Sequence, residues 1–135
     1  MKFLVTGAAG FIGFHTSQYL LNRGDTVIGI DNLNDYYDVN LKKKRINQLI
    51  KSKKFKFYKI NIQDRLKIEK IFKYNKIDFV FHTAALPRIL PSFEERFDHH
   101  QANIDVTLKL LEASHRQNVK KLFTQEHLLY TVNHL

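Results

Sequence analysis

Phe3-Leu4-Val5-Thr6-Gly7-Ala8-Ala9-Gly10-Phe11-Ile12-Gly13 is a short apolar run that breaks into three glycines spaced GxxGxxG. The run reads as a buried strand. Gly7 permits a tight turn from strand to helix, Gly10 lets an anionic group approach the backbone, and Gly13 lets helix and strand pack closely. Unpaired amides at the helix start, around Phe11 and Ile12, then face a phosphate. Downstream, Thr26-Val27-Ile28-Gly29-Ile30 is a second apolar run ending on Asp31, a carboxylate placed to accept hydrogen bonds from ribose hydroxyls. Strand, glycine turn, helix, strand and acid, in that order, predict a dinucleotide site rather than a flexible turn.

The same alternation continues outward. A first helix is expected from about Gly10 to Arg23, with Ile12, Thr16, Tyr19 and Leu20 on helical spacing and Gly24 as its stop. Val39 to Ile50 reads as a basic helix burying Leu41, Ile46, Leu49 and Ile50, and Phe55 to Ile60 as a third strand. Asp64 is placed to cap a helix whose Ile68, Ile71 and Phe72 form a core stripe. Ile77 to Phe81 reads as a fourth strand. Pro87 and Pro91 mark a loop, Ser92-Phe93-Glu94-Glu95 has the form of a capping box opening a helix to about Gln117, and Val119 to Thr124 reads as a fifth strand. Strands alternating with helices predict an α/β fold, a Rossmann-type doubly wound parallel sheet of order 3-2-1-4-5, truncated after about the fifth strand. Its last strand would lack an outer neighbour.

Composition narrows the function classes. The 135 residues contain no cysteine, which excludes a disulfide framework and a cysteine zinc site, and no apolar run reaches the ~20 residues of a membrane span. With a strand expected from Lys2 there is no room for a signal peptide, and the expected location is cytoplasmic. The formal charge of +9 comes from one segment: nine basic residues and no acid lie between Asp38 and Asp64. Phe55, Phe57 and Tyr58 interleave with them, as on a single-stranded nucleic-acid surface. Edge lysines on a strand explain the same pattern without a ligand, and a solvated face is the reading adopted, with a basic nucleic-acid-binding protein as the less favoured alternative. His99 and His100 are neighbours that diverge on a helix, so no metal site is expected.

Gly7-Ala8-Ala9-Gly10-Phe11-Ile12-Gly13 resembles the NAD-dependent epimerase/dehydratase family, the extended short-chain dehydrogenases of nucleotide sugars. Asp31-Asn32-Leu33-Asn34-Asp35-Tyr36-Tyr37-Asp38, with Leu41-Lys42, is most similar to its UDP-glucuronate 4-epimerases. The resemblance implies NAD as cofactor, a UDP-sugar as substrate and a role in surface-sugar synthesis. It also implies further cofactor residues. Asn32 fits the position beside the ribose acid, Ile62 the apolar position beside adenine, and His82-Thr83-Ala84-Ala85 the strand end beside the pyrophosphate and nicotinamide ribose. Asn103 opens an Asn-x-x-x-Thr resembling the family's helix motif. Two residues depart from the pattern: Asn61 stands where an aspartate usually accepts from adenine, a role its carbonyl oxygen still serves, and Val106 replaces a glycine, crowding a close helix contact.

Family members move a hydroxyl proton through a Tyr-x-x-x-Lys pair. Four residues beyond Tyr19, Tyr36, Tyr37, Tyr58, Tyr74 and Tyr130 stand Arg23, Asn40, Leu41, Ile62, Asp78 and His134, so the pair is absent and no catalytic residue is assigned. The serine-rich stretch expected after the fifth strand is replaced by Gln125-Glu126-His127-Leu128-Leu129. One base added near the Phe123 codon lets the tail read Phe-Tyr-Ser-(Arg or Gly)-Ala-Ser-Ser-Val-Tyr-Gly-Glu-Pro, which resembles that stretch. The expected division is therefore an NAD-binding domain over 1–123 and a frameshifted tail over 124–135. Alone, such a chain is expected to be inactive and poorly stable; the alternative is a stand-alone NAD-binding remnant without catalysis.

Overall fold

A computed structural model describes residues 1–84 and 104–124. In chain order they form β1 (Lys2–Thr6), α1 (Phe11–Asn22), β2 (Thr26–Asp31), α2 (Val39–Leu49), β3 (Phe55–Lys59), α3 (Arg65–Asn75), β4 (Phe79–His82), α4 (Val106–Arg116) and β5 (Lys121–Thr124). The strands make one parallel sheet of order β3-β2-β1-β4-β5, as expected from the sequence. Proline-marked residues 87–91 and the capping box at 92–95 lie outside the described residues, as does the tail from 125.

Alternation along the strands splits the core between the two faces of the sheet. Leu4, Ile28, Ile30 and Val80 pack against Ile68, Ile71 and Phe72 of α3 and Val106, Leu110 and Ala113 of α4. On the opposite face Phe3, Val5, Val27 and Phe55 meet Phe14 and Leu20 of α1 and Ile46 and Leu49 of α2. Val106 therefore fills space instead of crowding a helix contact: its side chain is part of the core between α3 and α4.

Helix ends follow local chemistry. Asp38 caps α2, accepting from Asn40 N at 2.8 Å, and Asp64 caps α3, accepting from Lys67 N at 3.2 Å. Gly24 takes φ +94° after α1, and its N–H donates to the Leu21 carbonyl at 2.9 Å. Two helix faces differ from expectation. The buried side of α1 is Gly13, Phe14, Ser17 and Leu20, while Tyr19 is 66% exposed and Ile12 lies on the surface. Close packing of Gly13 on the turn sets that rotation. In α2 the buried residues are Lys42, Ile46 and Leu49, and Leu41 and Ile50 are exposed. β3 forms one edge of the sheet with Lys56 and Lys59 exposed, and Lys56 Nζ lies 4.9 Å from the Tyr58 ring centre.

Candidate cofactor site at the carboxyl edge of the sheet

The glycine turn is built by close approach. Gly7 has φ +69°, and a Cβ there would lie 2.9 Å from Ala84 N, so the turn abuts the end of β4. A Cβ on Gly13 would come 2.1 Å from the Gly7 carbonyl oxygen, which places α1 directly on the turn. Gly10 occupies the N-cap with extended backbone (φ −68°, ψ 168°) and its N–H donates to Gly7 O at 2.9 Å. No acidic residue occupies the first turn of α1, and no side chain caps it. Its leading amides and the positive end of the helix are thus left for an anion. Gly29 contributes a contact the sequence did not reveal: a Cβ there would strike the Phe55 ring at 2.7 Å and Ala8 Cβ at 2.9 Å.

Asp31 closes β2 beside the turn. Its Oδ2 accepts from Ala9 N at 3.1 Å and its Oδ1 from Leu33 N at 2.8 Å, so two backbone donors orient the carboxylate. Asn32 is exposed, its side-chain oxygen accepting from Asn34 N at 3.0 Å. Behind this loop Lys42 is only 5% exposed and donates from Nζ to the Asn34 carbonyl at 2.8 Å. Burial lowers its ammonium below the ordinary lysine value, opposed by the nearby negative charge of Asp31 and Asp35. The chain leaving β3 is tied to the same corner, because Ile60 N donates to Asp31 O at 3.1 Å. Asn61 follows, exposed, with Oδ1 accepting from Gln63 N at 3.0 Å, and Ile62 is half-buried against the α3–α4 core.

At the end of β4, Thr6 and His82 form a buried relay. Thr6 Oγ1 accepts from Ala84 N at 3.2 Å and lies 2.8 Å from His82 Nδ1, while His82 Nε2 is 3.0 Å from Thr107 Oγ1. The arrangement is satisfied when the Thr6 hydroxyl donates to Nδ1 and the neutral ring carries its proton on Nε2. Thr83 Oγ1 donates to the Thr6 carbonyl at 2.6 Å, and the relay as a whole joins β1, β4 and α4. Glycine turn, Asp31, Asn32, Asn61, Ile62, His82 and Ala84 all lie at the carboxyl ends of β1–β4, around the point where the strand order reverses. Ala85 and Asn103 lie outside the described residues.

Burial lowers the His82 pKa to about 4. Between that value and the ~6.5 of an exposed histidine, the unfolded chain binds a proton that the folded chain does not. The neutral ring's contribution is thus complete above pH ~6.5 and is lost as pH falls toward 4, by about 3 kcal/mol. Urea midpoints between pH 7 and 4 should show this slope, and a His82→Gln chain, which has no ring to titrate, should lack that share of it. Equal slopes in the two chains would refute the account.

The model of the NAD-dependent epimerase/dehydratase family matches residues 3–125. The chain belongs to that family. A UDP-glucuronate 4-epimerase of Thermodesulfobacterium geofontis is 46% identical over 120 residues, covering 89% of this chain and 37% of the relative. A UDP-glucose 4-epimerase of Drosophila melanogaster is 39% identical over 122 residues, covering 87% and 35%. Among solved structures, a Bacillus cereus UDP-glucuronic acid 4-epimerase in complex with UDP-glucuronic acid and NAD superposes with a TM-score of 0.82 at 37% identity, covering 92% of this chain and 39% of that one. This epimerase-family chain therefore spans little more than a third of the relatives it matches. Among the described residues no helix is long and apolar enough to cross a membrane.

Proposed function

We propose that this chain is the NAD-binding part of a nucleotide-sugar epimerase that acts on a UDP-sugar, UDP-glucuronate in the first instance, and that alone it binds cofactor without turnover. The observation that carries the reading is the Cβ-free cradle of Gly7, Gly10 and Gly13, with the uncapped start of α1 above it and the Asp31 carboxylate beside it. In this reading the turn and the amides at Phe11 and Ile12 hold the pyrophosphate. Asp31 and Asn32 hold the adenosine ribose, and Asn61 and Ile62 border adenine. His82 and Ala84 border the nicotinamide half, and Ala85 and Asn103 are further cofactor residues by family resemblance alone. Bound NAD supplies a ring carbon that takes up and gives back hydride. The cofactor domain is residues 1–123, and residues 124–135 are a shifted-frame tail, which sequencing the gene through codon 123 tests. The cysteine-free composition fits a cytoplasmic setting.

Cofactor titration tests the reading. NAD is expected to bind at least about tenfold more tightly than NADP, because a 2′-phosphate would carry like charge against Asp31. Asp31→Ala should weaken NAD by about tenfold and erase the preference, since hydrogen bonds to a charged group are lost. Equal affinity for the two cofactors, or an Asp31→Ala chain that binds NAD unchanged, would refute this assignment of the site.

A further inference from the structure

Ala9 is gripped through both of the peptides that flank its Cα. Its N–H donates to Asp31 Oδ2 at 3.1 Å, while its carbonyl accepts from Tyr37 Oη at 3.2 Å and from Arg45 Nη1 at 3.1 Å. Arg45 Nη1 also donates to Tyr37 Oη at 2.7 Å. The guanidinium carbon lies 5.8 Å from the Phe11 ring centre and 5.9 Å from that of Tyr37, and Lys42 Nζ lies 4.6 Å from the Tyr37 ring centre. One residue of α2 and one of the loop before it thus reach across to the residue preceding Gly10. Among the described residues no carboxylate pairs with Arg45, so its charge stands un-neutralised beside the turn.

The arrangement does little for the fold as a whole. α2 is fixed by Ile46 and Leu49 in the core, and Phe11 and Tyr37 are exposed rings at the surface. It does much for the turn, whose own hydrogen bonds are few: Gly10 N donates to Gly7 O, and Ala8 N to Ile30 O. A peptide in a glycine-rich turn reorients at small cost, and the amides that follow Ala9 point at a phosphate only if that peptide is held.

We infer that Arg45, acting with Tyr37 through the Ala9 carbonyl, is a positioning residue that pre-aims the glycine-turn amides at the cofactor's diphosphate. The inference rests on the NAD reading above. Arg45 holds the Ala9–Gly10 peptide and Asp31 the preceding Ala8–Ala9 peptide, so the phosphate turn and the ribose corner are held by separate contacts on either side of the Ala9 Cα.

The test uses the whole chain with Arg45→Ala and Tyr37→Phe, the second removing one donor from an otherwise isosteric ring. Hydrogen exchange of the cofactor-free chain should speed up at Gly10–Gly13 in Arg45→Ala while β2 and α3 amides keep their wild-type rates. NAD and ADP should bind about tenfold more weakly to Arg45→Ala and a few-fold more weakly to Tyr37→Phe, with adenosine unchanged. A merely structural role would speed exchange throughout and weaken all three ligands in common proportion, and that pattern overturns the inference. Wild-type binding of NAD together with equal binding by Arg45→Ala overturns the positioning role alone. A wild-type chain that binds neither NAD nor ADP overturns the cofactor reading and the positioning role with it.

Discussion

Gly13→Ala should abolish NAD binding, by more than a hundredfold, and cost about 3 kcal/mol of stability. The added Cβ would sit 2.1 Å from the Gly7 carbonyl oxygen and 2.7 Å from its carbon, both backbone atoms that no rotamer change can move aside. Either α1 lifts from the sheet, emptying the contacts of Phe14 and Leu20, or the turn unwinds and its amides lose their aim. Gly24→Ala supplies the control. Gly24 also has a positive φ, +94°, but a Cβ there would meet only Lys54 Nζ at 3.9 Å, at the far end of α1. That variant should lose about 1 kcal/mol and bind NAD as the wild type does. Denaturant midpoints and NAD titrations on the three chains decide the matter; a Gly13→Ala chain with wild-type affinity would show that the turn does not hold the diphosphate.

The 135-residue chain incubated with NAD and UDP-glucuronate is expected to yield no epimer. A positioned acid–base pair contributes roughly 10²–10⁴-fold to proton transfer. None of the six tyrosines has a lysine four residues on. Asp31, Asn61 and His82 do not substitute: the first two engage backbone amides, and the buried imidazole is held between two threonine hydroxyls. Nuclear magnetic resonance of the sugar C4 region reads the outcome, and conversion above that of a Gly13→Ala control would overturn the expectation.

The alternation of strands with helices made the sheet order legible in the sequence, and the glycine spacing did the same for the turn after β1, because a positive φ and a close backbone approach call for a residue without a side chain. Periodicity did worse on helices. It put Ile12 and Tyr19 on the inner side of α1, since apolar spacing cannot register that a glycine with no side chain, Gly13, is the point of closest contact. It put Leu41 and Ile50 inside α2 and overlooked Lys42, whose stem is buried while its ammonium reaches the Asn34 carbonyl. Tyr37 stood out only as part of the Asp31–Asp38 resemblance and Arg45 only as one of nine basic residues, and neither pointed to the turn. They act on a backbone carbonyl 28 and 36 residues away, and a carbonyl is common to every residue.

Of the five strands in the sheet β1 is synthesised first and lies at the centre, and its two neighbours arrive at very different times. β2 follows directly, but Phe3 pairs with Phe79, and the Lys2 amide meets the Asp78 carboxylate, 76 residues later in the chain. At a ribosomal rate of roughly 5–20 residues per second, one side of β1 stays open for roughly four to fifteen seconds during translation. Throughout that interval Leu4 and Val5, both wholly buried in the finished protein, have half of their surroundings missing. Because every pairing is parallel, no hairpin can close the gap early. Emergence of β4 is therefore the committing event in the birth of this sheet, and a pause in translation before it would prolong the time in which a nascent chain can pair with its neighbours on the polysome.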